Sequence, residues 1–142
     1  MDRMALIALI AAGVTFAGCA TTAVMAHGNV TPQPVDTKGL KPLGDVWLKA
    51  NPYRGDPLAI KVGMSAYNQN CARCHGLEGI SGGIAPDLRY LETGATGDEW
   101  FIQRYQNGSS HDGKVYMPPL GKILGQEAGW AVRSWLDTVH QE

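Results

Sequence analysis

Apolar side chains recur at helical spacing in three stretches of the chain, and no useful length of sequence alternates apolar and polar residues as a strand does. These stretches predict three helices, which run from Asp56-Pro57 toward Cys71, from Gly97-Asp98 to Asn107-Gly108, and from about Gln126 to Val139. Asp56 is a good N-cap and Pro57 suits the first helical position. The apolar positions of the first predicted helix are Leu58, Val62 and Tyr67, and those of the second are Trp100, Phe101 and Tyr105. The third has Trp130, Val132, Trp135, Leu136 and Val139. The pattern therefore predicts an all-α fold.

The first 26 residues have the organisation of a secretory signal peptide. Arg3 precedes an apolar run from Ala5 to Ala17, which is shorter than the roughly 20 residues needed to span a bilayer. Small residues before His27 predict cleavage after Ala26 and export to the bacterial periplasm. An alternative is a lipoprotein signal at Cys19, which would attach the protein to a membrane.

A segment rich in proline and glycine separates this leader from the first helix. Residues 27–57 carry five of the 8 prolines and four of the 18 glycines, a density that disfavours compact secondary structure. Trp47, Leu48 and Tyr53 interrupt its polar character, so we expect an extended arm that lies over the domain. A flexible tether is the alternative. The predicted division is thus a leader of residues 1–26, an arm of residues 27–57 and a domain of residues 58–142.

Charge and cysteine content exclude several classes of protein. With 12 basic and 13 acidic residues, the chain has a net charge of -1, which gives no basis for nucleic-acid binding or for binding an anionic membrane surface. Three cysteines are too few for a disulfide scaffold. The domain is also small enough that a covalently held group would help to complete its core.

The motif C-A-R-C-H, residues 71–75, is typical of a c-type haem attachment site. Cys71 and Cys74 lie within one turn of chain, so both can form thioethers with one porphyrin, and His75 would then reach the iron. A redox dithiol would need a βαβ pattern, and a structural zinc site would need a second pair of ligands. Neither is present in the sequence, so we expect one covalent haem c.

The sixth iron ligand is predicted to be Met117. Met64 lies seven positions before Cys71 on the helix that enters the motif, so it cannot readily reach the opposite haem face. Met117 follows His75 by 42 positions, and two prolines after it stiffen its loop. His111 is the rival ligand, and packing in the core is the ordinary fate of a methionine. Two aromatic residues, Tyr116 and Trp100, are expected to contact the haem.

From Asp56 to Val139 the chain resembles a class I cytochrome c. The matching motifs are Gly63-x-x-x-Tyr67 before C-A-R-C-H-G, then residues 83–88 (G-I-A-P-D-L), Asn107-Gly108, residues 116–119 (Y-M-P-P) and a Trp-Leu on the last helix. The resemblance implies several helices around one haem, a helix crossing at Gly63 and Trp135, and a hydrogen bond from His75 to the carbonyl of Pro86. Residues 66–88, and residues 27–33 and 51–55 of the arm, are also similar to the cytochrome c-550 group, which serves quinoprotein (PQQ-dependent) alcohol dehydrogenases.

These features together predict a monomeric periplasmic electron carrier. Ligation by His75 and Met117 leaves no open iron position, so we expect one-electron transfer and no enzymatic activity. The resemblance implies a PQQ-dependent alcohol dehydrogenase as donor, with a terminal oxidase or another cytochrome as acceptor. Alternatives are a carrier for another dehydrogenase, a lipid-anchored subunit of a respiratory complex, and a haem sensor or enzyme with an open site. Partners are expected to dock on a haem edge formed by Ile80, Ile84, Pro118, Pro119 and Leu120.

Overall fold

The computed structural model describes residues 31–142. The elements are α1 (Pro57–Asn70), α2 (Ala72–His75), α3 (Gly94–Asn107), β1 (Ser109–His111), β2 (Lys114–Met117) and α4 (Gly121–Thr138), with short 3-10 turns at Leu77–Gly79 and Leu88–Tyr90. The fold is dominated by helices, and the all-α prediction is confirmed. The predicted leader, its cleavage after Ala26 and the lipidation of Cys19 lie outside the described residues. In residues 31–142, no helix is both long and apolar enough to cross a membrane.

Helix α1 begins where its capping residues predict. The Asp56 carboxylate accepts hydrogen bonds from the backbone N–H groups of Leu58 (2.8 Å) and Ala59 (3.3 Å), and Pro57 occupies the first helical position. Two of the donors that a helix start leaves unpaired are thereby satisfied within the chain. This fixes the start of the helix that ends at the C-A-R-C-H motif.

The main packing interface joins α1 to α4. Gly63 lies so close to α4 that a Cβ there would stand 1.9 Å from the carbonyl oxygen of Ala131. The resemblance implied that Gly63 meets Trp135 at this crossing; the atoms nearest to a Cβ on Gly63 belong to the backbone of Ala131 and Val132, and the contact with Trp135 remains a prediction. Trp135 packs against Tyr67, with ring centroids 4.4 Å apart. Both observations have one cause, since residues four apart lie on the same helical face one turn from each other.

The other two long helices differ slightly from their predicted bounds. Helix α3 starts at Gly94, three residues before the expected Gly97, and its N-cap Thr93 makes no side-chain hydrogen bond. Helix α4 is interrupted at Gly125, where φ is 81° and ψ is 168°. The regular helix after this break therefore starts at Gln126, as predicted.

Strands β1 and β2 form an antiparallel hairpin that the sequence analysis did not predict. Its two-residue turn is Asp112-Gly113, with φ of 48° and 72°. Two successive positive φ values are the geometry of the turns that suit a twisted hairpin, and Asp-Gly is a favoured sequence for them. The strands have three and four residues, which is too short for a visible alternation of apolar and polar residues.

The arm packs along the helical domain through residues 31–56. Leu40 and Tyr53 are buried in the core, and Trp47 packs against Tyr105 with ring centroids 6.3 Å apart. Leu48 contributes its backbone N–H to the Gln126 side chain, while its own side chain stays partly exposed. This segment is therefore an extended, attached arm and not a flexible tether.

A buried polar cluster ties the arm to α3 and α4. The Asp98 carboxylate accepts hydrogen bonds from the Asn51 backbone N–H (2.8 Å), from Arg54 (2.6 Å) and from Arg133 (3.1 Å). Burial by itself acts to raise the pKa of Asp98, but the hydrogen bonds from these three donors outweigh it and the pKa lies below its ordinary value. Asp98 is therefore ionised at neutral pH and compensates the buried Arg133.

Candidate haem site

The two thiols of the C-A-R-C-H motif lie on one nearly continuous helical path. Cys71 ends α1, where its N–H donates to the carbonyl of Tyr67 (2.8 Å), and it also caps the short helix α2. The N–H of His75 then donates to the carbonyl of Cys71 at 3.0 Å. Cys71 and Cys74 are free and partly buried. Burial, with a smaller contribution from Cys74, raises the pKa of the Cys71 thiol to about 12, so this thiol is neutral at pH 7.

The imidazole of His75 is oriented by a single backbone contact. Its Nδ1 lies 2.8 Å from the carbonyl oxygen of Pro86. A carbonyl can only accept, so Nδ1 carries the proton and Nε2 keeps the lone pair with which a histidine binds iron. The structure thus contains the hydrogen bond that the resemblance implies, and it prepares His75 for ligation.

The segment that supplies the Pro86 carbonyl is itself held by a local ion pair. Asp87 accepts from the backbone N–H groups of Ser81 (3.2 Å) and Arg89 (3.0 Å), and it pairs with the Arg89 guanidinium at 2.8 Å. The hydrogen bond from the Arg89 side chain is the main cause that lowers the pKa of Asp87 to about 2. Asp87 is therefore charged at any physiological pH, and the turn that presents Pro86 stays closed.

Met117 lies at the end of β2, opposite Ser109 of β1, and is partly buried. Gly108, which ends α3, approaches it so closely that a Cβ on Gly108 would stand 2.2 Å from the Met117 carbonyl oxygen. The end of α3 and the hairpin together therefore determine where the Met117 backbone lies. The rival ligand His111 is highly exposed in the hairpin, 3.4 Å from Asp112, and Met64 is exposed on α1.

The two predicted aromatic haem contacts lie on the surface of the protein chain. Tyr116 is 66% exposed on β2, beside Met117. Trp100 is 46% exposed on α3, with the Arg104 guanidinium 5.6 Å from its ring centroid. Their contact with haem remains a prediction. The expectation that Leu120 lines the docking edge is wrong, since Leu120 is 4% exposed and caps the start of α4.

The residues around the motif fit a covalently attached haem. Two free thiols and an imidazole with a free Nε2 share one turn, which is the donor set that such a group requires. Large apolar side chains remain exposed in the segments that follow His75 and precede Met117, namely Leu77, Ile80, Ile84 and Val115. Exposed apolar side chains that lie together often mark a surface that a ligand or partner covers. In residues 31–142, no three His, Cys, Asp or Glu side chains form a group that could hold a metal ion.

Comparison with known proteins places the chain among cytochromes. The protein family described as Cytochrome C oxidase, cbb3-type, subunit III, matches residues 58–136. The chain is 58% identical over 136 residues to Cytochrome c550 of Pseudomonas aeruginosa, an alignment that covers 93% of this chain and 91% of the relative. It is also 44% identical over 36 residues to Quinohemoprotein alcohol dehydrogenase ADH-IIG of Pseudomonas putida, which is 25% of this chain and 5% of that protein. No solved structure matches the chain significantly.

Proposed function

We propose that this chain, which belongs to the cytochrome c family and carries electrons on a covalent haem c, accepts them from a PQQ-dependent alcohol dehydrogenase. The proposed location is the bacterial periplasm. The observation that carries the proposal is the 58% identity to Cytochrome c550 along nearly the whole of both chains. The short similarity to a quinohemoprotein alcohol dehydrogenase adds support for this class of donor. The acceptor in this proposal is a terminal oxidase or another cytochrome.

The site residues have distinct roles in this proposal. Cys71 and Cys74 would hold the haem through thioethers, and His75 and Met117 would bind the iron. The haem supplies one-electron redox chemistry, and a thioether ligand favours its ferrous state more than a second imidazole would. If His75 and Met117 both bind the iron, it would have no open position for a substrate, so we propose a carrier and not an enzyme.

Partner docking is proposed at the exposed apolar side chains near the haem site. Ile84 is 78% exposed in the loop that leads to Pro86, and Val115 and Tyr116 are exposed on the hairpin. Encounters between redox proteins are small and short-lived, and a few apolar side chains around the cofactor edge are enough to form one. The net charge of -1 gives little long-range steering, so short-range apolar contact should dominate the encounter.

The decisive experiment is stopped-flow reduction of the oxidised holoprotein by a periplasmic quinoprotein ethanol dehydrogenase with ethanol. We expect fast reduction that saturates with dehydrogenase concentration. Ile84→Glu should slow it about tenfold, which corresponds to the loss of about 1.4 kcal/mol of encounter free energy. Val46 is 80% exposed on the arm, so Val46→Glu is a matched control that should leave the rate unchanged.

Reduction that is slow with the dehydrogenase but normal with ascorbate would refute the donor assignment and leave the electron carrier intact. Equal rates for both variants would refute the docking surface alone. The intact mass of the protein isolated from its host decides between a mature chain that begins at His27 and one lipidated at Cys19. A lipidated form that copurifies with an oxidase would favour the second candidate, a subunit of a respiratory complex, which the name of the matching family suggests.

A further inference from the structure

Tyr67 contacts both ends of the haem-binding segment. Its backbone carbonyl accepts a hydrogen bond from the N–H of Cys71 at 2.8 Å. Its side-chain hydroxyl donates to the carbonyl oxygen of Gly76, also at 2.8 Å. One residue of α1 therefore connects the first cysteine of the motif to the peptide that directly follows His75.

The ring that carries this hydroxyl cannot move easily. Tyr67 has 0% exposure, and its ring packs on Trp135 with centroids 4.4 Å apart and an angle of 40° between the planes. Burial raises the pKa of the Tyr67 hydroxyl, so the group remains protonated and able to donate at any physiological pH. The hydrogen bond to Gly76 is therefore held by packing and is not a chance surface contact.

Gly76 also has a restricted position. Its φ is +78°, and a Cβ there would lie 1.8 Å from the carbonyl oxygen of Ile80. The chain consequently leaves His75 along one path, and the Tyr67 hydroxyl fixes the carbonyl at its first step. The other restraint is the 2.8 Å contact from Nδ1 of His75 to the Pro86 carbonyl. His75 is thus held at its ring by Pro86 and at its following peptide by Tyr67.

We infer that Tyr67 is a positioning residue for electron transfer, whose hydroxyl orients His75 and thereby lowers the reduction potential of the haem. The inference rests on the proposed role of His75 as an iron ligand. A well-oriented imidazole donates more strongly to iron and favours the ferric state, whereas a loosely held one donates less. A merely structural hydroxyl would satisfy the partly buried Gly76 carbonyl and contribute to stability, without any effect on the potential.

The test compares the Tyr67→Phe holoprotein with wild type and with Tyr53→Phe. Tyr53 is a suitable control because it is also buried, and its hydroxyl also donates to a backbone carbonyl, that of Lys41 in the arm. Each variant loses one buried hydroxyl, so both should be less stable. Only Tyr67→Phe should raise the reduction potential in a redox titration and displace the paramagnetically shifted NMR signals of the His75 ring. Amide exchange at Gly76 and Leu77 should become roughly threefold to tenfold faster in this variant alone.

An unchanged or lower potential in Tyr67→Phe, with unchanged His75 ring signals, would overturn the inference and leave a structural hydroxyl. If Tyr67→Phe does not accumulate with haem, Trp135→Phe provides the second test, because it keeps the hydroxyl and loosens the ring that carries it. A higher potential is expected there too, and a wild-type potential would count against the inference. Absence of shifted His75 signals in the wild-type protein would refute the ligand assignment itself, which is a separate outcome.

Discussion

Replacement of Asp98 by Asn should severely destabilise the folded protein. The Asp98 side chain is 3% exposed and pairs with Arg133, which is 1% exposed, and with Arg54 of the arm. The Asn side chain has nearly the same shape but no charge, so the two guanidinium groups lose their closest compensation. A buried charge that loses its partner typically costs about 3 to 5 kcal/mol.

The lower end of this range applies here, because Arg133 keeps two other contacts. It donates to the carbonyl of Glu92, and it lies 3.3 Å from the Asp137 carboxylate. We therefore expect a loss of about 3 kcal/mol, which lowers the melting temperature by roughly 10 to 20 °C for a domain of this size. The assay is guanidinium unfolding of the holoprotein at pH 7, followed by tryptophan fluorescence.

Asp112→Asn is the matched control for this prediction. Asp112 is 86% exposed, its partner is His111 at 3.4 Å, and Asn tolerates the positive φ of this turn as well as Asp does. Removal of its charge should change the stability by less than about 0.5 kcal/mol. If Asp98→Asn costs no more than Asp112→Asn, the buried cluster does not stabilise the attachment of the arm, and the argument fails.

The pH dependence of stability gives an independent check on Asp98. Its folded pKa lies below the unfolded value, so its contribution is fully present above the unfolded pKa and is lost as the pH falls through the folded one. The pKa of neighbouring Asp137 is raised, mainly by burial, so the pH dependence of its contribution to stability is opposite to that of Asp98. The folded state favours the protonated form of Asp137. Subtraction of the Asp98→Asn curve from the wild-type curve isolates the Asp98 contribution, which should decline below about pH 4. A difference that is constant with pH would contradict the assignment.

Three further substitutions test the site and its frame. Gly63→Ala places a Cβ against the Ala131 carbonyl and should lower the free energy of unfolding by about 3 kcal/mol, measured in denaturant. Gly82 has open space around it, so Gly82→Ala should change this free energy little. Equal losses for the two variants would contradict the close crossing of α1 and α4. Asp56→Ala removes the N-cap of α1 and should cost about 1 kcal/mol in the same assay, and no loss would contradict the cap. Met117→Leu should give high-spin ferric haem and a ferrous form that binds carbon monoxide, while Met64→Leu should not; a low-spin Met117→Leu spectrum would exclude Met117 as ligand.

Predictions from the sequence succeeded where neighbouring residues determine the structure. Asp56 and Pro57 define the start of α1 through contacts within four residues, and the predicted start at Gln126 coincides with the break at Gly125. The start of α3 was placed three residues late because Thr93 makes no side-chain cap there. The hairpin was missed although its Asp112-Gly113 turn is a recognisable signal, since its strands are too short to show alternation.

Contacts between distant segments could not be predicted in this way. The sequence did not predict that Gly63 lies directly against the Ala131 backbone, because the rotation of two packed helices is determined by every side chain in their interface. Leu120 was expected on the docking edge together with Pro118 and Pro119, but its side chain is buried in the core at the start of α4. The hydrogen bonds that join residues 33–54 of the arm to the helices connect residues 37 to 84 positions apart, and periodicity contains no information about them.

The two sides of the haem site are also built differently, and this bears on function. His75 is held through Tyr67 and Pro86, which lie within eleven positions of it; Tyr67 is buried and packs on Trp135 of α4, and the segment of Pro86 is held by the Asp87–Arg89 ion pair. Met117 lies at the end of a hairpin of two short, mostly exposed strands; its backbone is close to Gly108, and its side chain is only partly buried against the edge of the core. Segments with few buried contacts open at lower free energy than the core. The Met117 side should therefore be the one that opens first, while the His75 side stays fixed, and a partner that docks on the hairpin would act on the more mobile of the two proposed ligands.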